Sequence, residues 1–223
     1  MTVQEPVLVS PDGHEVADLA DALPSGRFVL GISGAPGAGK STLARALATA
    51  YGAPVVPMDG FHRTTADLVA RGRLDAKGAP DTFDAEAYAA LLRRLHCGGD
   101  VLAPSFEHGQ PDPRADTIPV PGSAGLVLTE GNYLLLDRPE WRPVRLELDA
   151  VWHVVTDDAV RLQRLVARHV AAGRAPSHAE AWVERVDQPN ATLVEAAATR
   201  ADVVLDLSAW SGRLERGGPR RRS

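Results

Sequence analysis

The stretch Phe28-Val-Leu-Gly-Ile-Ser-Gly34-Ala35-Pro36-Gly37-Ala38-Gly39-Lys40-Ser41-Thr42 decides the fold. An apolar run of strand length, Phe28 to Ser33, enters a glycine-rich turn, and good helix formers follow from Lys40 to Tyr51. Gly34 to Ser41 matches G-x-x-x-x-G-K-[ST], and the strand before it and the helix after it are the context this motif requires. The glycines let backbone N–H groups turn inward around a phosphate, and the start of the helix adds its partial positive charge. Lys40 then reaches the β and γ oxygens and Ser41 offers a hydroxyl to Mg²⁺, so residues 34–42 are expected to bind a nucleoside triphosphate.

Outward from this loop, short apolar runs alternate with longer segments of helical spacing, the pattern of βαβ units around a parallel sheet. Strands are expected at Phe28–Ser33, Val55–Met58, Leu126–Glu130, Val151–Val155 and Val203–Asp206. Helices are expected at Glu15–Ala22, Lys40–Tyr51, Thr65–Arg71, Ala85–His96, Asp158–Ala172 and His178–Thr199. The expected fold is therefore α/β, a P-loop NTPase three-layer sandwich with a five-stranded parallel sheet and a small helical lid at about residues 161–178. One domain spans 1–210, with a basic, flexible tail at 211–223. Residues 71–83 and 104–122, rich in Gly, Pro and charge, read as long loops kept for an acceptor site.

Two carboxylates fall at carboxyl ends of these strands: Asp59 in Pro57-Met58-Asp59-Gly60-Phe61-His62, and Glu130 in Leu128-Thr129-Glu130-Gly131. Ligands of open α/β sheets gather at that edge, which brings both acids to the phosphate loop. One can hold Mg²⁺ and the other can take a proton from an attacking hydroxyl. Farther on, Arg161, Arg164 and Arg168 recur at i, i+3 and i+7, apart from an apolar stripe of Leu162, Leu165 and Val166. Guanidinium groups there suit charge neutralisation on a transferring phosphoryl group, and Gly173-Arg174-Ala-Pro176 suits the turn of a lid.

Composition narrows the classes further. The chain has 223 residues and a net charge of −5, of which Ser211–Ser223 contributes +4 through five Arg and one Glu, leaving a body of about −9. Such a body argues against a nucleic-acid surface. No apolar run approaches the roughly 20 residues of a membrane span, and the N-terminus lacks a basic, apolar leader, so a cytoplasmic protein is expected. Cys97 is the only cysteine, which excludes an intrachain disulfide and an all-thiolate metal site. Only two of the 24 basic residues are Lys, namely Lys40 and Lys77. Where Arg supplies nearly every generic positive charge, a surviving Lys points weakly to a site that needs a compact ammonium.

Taken together, the order of motifs resembles the phosphoribulokinase, uridine kinase and bacterial pantothenate kinase superfamily of P-loop kinases over about residues 28–207. The resemblance rests on Asp59-Gly60-Phe61, on Arg71-Gly72-x4-Lys77-Gly78-x-Pro80-x2-Phe83-Asp84, on Ala103-Pro104-x-Phe106-x-His108 and on Leu128-Thr129-Glu130-Gly131. It looks most like the short branch called nucleoside/nucleotide kinase-like or fructose-import kinase-like. Phe106 stands where pantothenate kinases usually place Tyr, and Phe106-Glu107 echoes the Tyr-Asp pair of uridine kinases. The resemblance implies ATP and Mg²⁺ as cofactors, Asp59 as catalytic base, Glu130 as metal ligand and the arginines of the late helix as a lid over ATP. It also makes a homodimer a familiar assembly.

The expected acceptor lining is Phe61, Phe83 and Phe106 with His62, Arg71, Lys77, His108 and Arg114, joined by Asn132, Tyr133 and Asn190. Such a lining suits a small polyol or nucleoside hydroxyl flanked by a carboxylate or phosphate. Trp141, Trp152, Trp182 and Trp210 read as packing residues. The expected function is transfer of the γ-phosphoryl of ATP to a hydroxyl of a small metabolite. The rival class is a P-loop ATPase or nucleotide-dependent regulator without a metabolite acceptor.

Overall fold

The structure is a computed structural model that describes residues 5–107 and 110–214. Its centre is a parallel sheet of six strands: β1 (Val7–Leu8), β2 (Phe28–Gly34), β3 (Val55–Pro57), β6 (Leu126–Gly131), β7 (Ala150–Val155) and β8 (Val203–Asp206). Their spatial order is β1-β8-β7-β2-β6-β3. The five expected strands are all present within one or two residues. The sixth, β1, pairs Val7 with Leu205 at one edge of the sheet.

Helices cover both faces, so the central strands are apolar on both sides rather than alternating. Val29, Val127 and Val151 join a core capped by α4 (Ala85–His96) and α5 (Arg142–Leu146). Leu30, Ile32, Leu128, Trp152 and Val154 enter the opposite core, with α1 (His14–Asp21) and α2 (Lys40–Tyr51). Trp141 and Trp152 are buried packing residues, as expected from sequence.

Three regions depart from the sequence reading. Residues 104–122 are not simply loop, because β4 (Val101–Ser105) and β5 (Arg114–Val120) form an antiparallel pair with an irregularity between Ala103 and Ser105. Pro104 and Pro119 lie in these strands and disguise them, since proline reads as a strand breaker. Residues 71–83 keep no long element, only short 3₁₀ turns at Leu74–Ala76 and Pro80–Thr82, after α3 (Thr65–Ala70). The long expected helix 178–199 is divided into α7 (Pro176–Trp182), a π turn at Val183–Asp187 and α8 (Gln188–Ala196). Pro189 has no N–H to give the carbonyl four residues back, and its ring would strike that carbonyl in a regular helix. The wider turn just ahead of it accommodates both facts.

Candidate active site

Strand register brings the chemistry to one edge. Glu130 lies beside Ile32 of β2 on one side and beside Pro57 of β3 on the other. Two residues beyond Pro57, Asp59 sits half-buried in a 3₁₀ turn over Met58–Phe61. The phosphate loop leaves the end of β2 and delivers its last glycine, Gly39, as the left-handed cap of α2 (φ 105°). Gly37 is also left-handed (φ 82°), and a Cβ there would come within 2.9 Å of the Arg161 carbonyl oxygen. That backbone therefore fixes how closely the loop and α6 (Asp158–Ala171) approach.

Within the loop Lys40 is buried, and its Nζ donates to the carbonyl oxygens of Gly34 (2.9 Å) and Ala35 (3.0 Å). Burial pushes this ammonium down to about 8, while the Glu130 and Asp59 carboxylates pull it back up. Ser41 Oγ donates to Glu130 Oε1 at 3.0 Å. Burial first, and the Asp59 charge second, hold Glu130 above the usual carboxylate range. One hydroxyl and two crowded carboxylates form a hard-oxygen donor set that a divalent cation relieves, so Ser41, Glu130 and Asp59 fit Mg²⁺.

Two clefts meet at the loop. The first, of about 340 Å³, runs along Gly37, Ala38, Gly39 and Thr42 past Arg164 to Leu207 and Trp210. The second, of about 460 Å³, holds Asp59 and Glu130 and extends over Lys77, Phe106 and Asn132 to Arg174 and Trp182. Lys40, Ser41 and Arg168 line both.

The expected acceptor residues divide by placement. His62, Lys77, Phe83, Phe106, Asn132 and Asn190 line the second cleft. The His62 ring lies 4.0 Å from that of Phe83 and 4.7 Å from that of Phe106, centroid to centroid. Its Nδ1 is 2.8 Å from the Asp59 carbonyl oxygen. Phe61 and Tyr133 are buried behind this wall. Phe61 packs on Tyr88, and the Tyr133 hydroxyl and the Asn190 amide both donate to the Gly78 carbonyl oxygen. Arg71 and Arg114 do not line the cleft: the first pairs with Asp67 at 2.8 Å, the second faces Glu107 at 3.9 Å on the exposed hairpin. His108 lies outside the described residues.

The three arginines of α6 also divide. Arg164 and Arg168 are exposed and line the clefts. Arg161 is buried, donating from Nε to Asp158 (2.9 Å), from Nη1 to the Pro36 carbonyl oxygen (3.3 Å) and from Nη2 to Gln188. It braces the back of the phosphate loop instead of facing a ligand. Residues 161–178 thus comprise most of α6, the turn at Gly173 and the start of α7.

Sequence reading missed several lining residues. Trp182 lines the second cleft, and Trp210 lines the first while also packing against the core, and no spacing rule separates a cleft indole from a packed one. His169 and Asp187 reach each other across 18 positions, Nε2 to Oδ2 at 2.8 Å, a pairing only the tertiary fold creates. Ser211 to Leu214, the first residues of the expected flexible tail, are fastened: the Ser211 N–H donates to the Pro11 carbonyl oxygen (3.2 Å). Residues 215–223 lie outside the described residues. Among the described residues no helix is long and apolar enough to cross a membrane.

Comparison with known proteins bears on the fold and the family. A Schizosaccharomyces pombe protein named as a candidate uridine kinase is 34% identical over 198 residues, 80% of this chain and 83% of that protein. The uncharacterised Escherichia coli protein YggC is 32% identical over 202 residues, 87% of this chain and 84% of its own length. Among solved structures, one named as a candidate kinase of a fructose transport system from Silicibacter sp. TM1040 superposes with a TM-score of 0.74 at 37% identity. It covers 85% of this chain and 95% of that one. The pattern of the phosphoribulokinase / uridine kinase family matches residues 29–209, and the chain belongs to that family of P-loop kinases.

Proposed function

We propose that this kinase transfers the γ-phosphoryl group of ATP to a hydroxyl of a small metabolite, with Asp59 as general base. The observation that carries the reading is the meeting of two clefts at Lys40, Ser41 and Arg168. A nucleotide hydrolase needs one cleft and a water, whereas phosphoryl transfer to a second substrate needs two clefts whose contents face each other across the γ-phosphate.

The nucleotide takes the first cleft, its phosphates along residues 34–42 and its base against Leu207 and Trp210. The acceptor takes the second, its hydroxyl at Asp59. Asp59 accepts the hydroxyl proton as the acceptor oxygen bonds to the γ-phosphorus and the bond from that phosphorus to the ADP oxygen breaks. Lys40 and Arg168 oppose the negative charge that spreads over the transferring group, with Arg164 beside the nucleotide. Ser41 and Glu130, with Asp59 in reach, would hold Mg²⁺, which when bound would supply further charge neutralisation. The His62 and Phe83 rings form part of the wall of that cleft.

The test is ADP release with Mg·ATP against a panel of pantothenate, nucleosides, glycerate, fructose and other sugars, with mass detection of product. One acceptor is expected to raise turnover well above background and to gain a phosphoryl group. Asp59→Asn is expected to keep nucleotide binding and lose about 10²-fold or more in turnover. Steady ADP release that no acceptor changes, with no phosphorylated product, would move the reading to an ATPase.

A further inference from the structure

The second cleft carries two cations that the transfer chemistry does not use. Lys77, one of only two lysines in the chain, comes from the loop between α3 and α4, and Arg174 follows the Gly173 turn after α6. Both line the cleft that holds Asp59.

Each is held by neutral partners. Lys77 Nζ donates to the Pro111 carbonyl oxygen and stands 5.2 Å from the Phe106 ring centroid. The Arg174 guanidinium lies 3.9 Å over Trp182, with Arg185 at 5.7 Å from the same ring. Among the described residues neither Lys77 nor Arg174 forms an ion pair. Asp187 pairs with His169 (2.8 Å), and Asp112 accepts the Thr65 N–H. Asp112 is the carboxylate whose charge reaches Lys77, against a burial effect that lowers the ammonium. Aromatic faces and a carbonyl position a cation well and neutralise it poorly.

The cleft therefore carries both signs of charge: Asp59 and Glu130 repel an anion, whereas Lys77 and Arg174 attract one. Resting on the kinase reading above, we infer that the acceptor bears an anionic group, a carboxylate or a phosphate, besides its reactive hydroxyl, and that Lys77 and Arg174 form the subsite for that group. A neutral sugar or nucleoside would pair with neither cation. An acidic acceptor pairs with them and is oriented with its hydroxyl toward Asp59. Arg174 is a rigid fork that suits either anion, and Lys77 is a point charge that follows it.

The experiment compares acceptors as matched pairs: glycerate with glycerol, pantothenate with pantothenyl alcohol, ribose 5-phosphate with ribose, and uridine 5′-monophosphate with uridine. Phosphorylated product is measured by mass for each. The expected result is that an anionic member exceeds its neutral partner in kcat/KM by at least about tenfold, and the carboxylate and phosphate arms tell the two anions apart. Lys77→Gln and Arg174→Gln are each expected to lower that anion-to-neutral ratio about tenfold, and Lys77→Arg to retain most of it. The ratio cancels any general loss of folded enzyme. A neutral member used as well as its anionic partner, or an unchanged ratio in both Gln variants, overturns the subsite and leaves the kinase reading standing. No product from any acceptor, with ADP still released, overturns the kinase reading and the subsite with it.

Discussion

Lys40 holds its charge in a buried place, with two carbonyl oxygens and two nearby carboxylates as the reasons it stays an ammonium. Its pKa of about 8 lies below the ordinary 10.5, and this has two opposite consequences. Phosphate binding needs the protonated form, so kcat/KM for ATP is expected to be level below pH 8 and to fall about tenfold per pH unit above it. A level profile to pH 10 would contradict this. The nucleotide-free fold moves the other way, since between pH 8 and 10.5 the unfolded chain binds this proton more than the folded one, and stability rises with pH. The melting temperature of the wild type relative to Lys40→Met, followed across that window, checks the sign. Arg161 shows what residue spacing cannot convey. Arg161, Arg164 and Arg168 share one side of α6, but seven residues are about 10 Å of helix rise. Helical spacing reports the face and is silent on depth, so the first arginine lies under the loop while the last two reach the clefts. Arg161→Leu is expected to cost about 1–3 kcal/mol in denaturant unfolding by leaving the Pro36 and Gln188 acceptors without a donor. A variant as stable as wild type would remove the bracing role.

Among elements, the sequence was most legible where burial is two-sided and least where an element is short or local. The strands around Val29, Val127 and Val151 are apolar runs flanked by helix formers, and Asp59 and Glu130 follow from their carboxyl ends. β1 offers two residues, too few for any period, and β4 and β5 carry prolines. The acceptor wall was half legible for a related reason. His62, Phe83 and Phe106 meet through loops whose path is set by tertiary pairings such as His62 with Phe83, while Arg71 and Arg114, equally plausible in sequence, find nearer carboxylates. The segment before α1 has a role of its own. Gly13 is left-handed (φ 71°), and a Cβ there would lie 2.7 Å from Trp210 Nε1 and 2.8 Å from the Arg213 carbonyl oxygen. Gly13 thus lets this segment sit flush against the wall of the nucleotide cleft. Gly13→Val is expected to displace Trp210 and raise the ATP KM several-fold, with the acceptor KM moving little. An equal rise in both would point to general unfolding instead.

For the whole molecule, both clefts are built on one fold. The phosphate loop touches α6 through Gly37 and Arg161, and α6 is tied to the π turn by His169 and Asp187, so the two clefts share a continuous packed path. A ligand that binds only the folded state stabilises it by mass action, about 2.7 kcal/mol at a hundred times its Kd. Mg·ADP is therefore expected to raise the melting temperature of the wild type by several degrees and that of Lys40→Ala by much less. The pair of lysines has a practical corollary. Lys40 lies under the phosphate loop and Lys77 half-buried at the acceptor cleft, and every other basic side chain that could compete for an amine reagent is Arg or His. Amine-directed acylation of the side chains therefore interrogates the two clefts and little else. Protection of one position by nucleotide and of the other by acceptor would turn a peptide mass map into a direct reading of which cleft is filled.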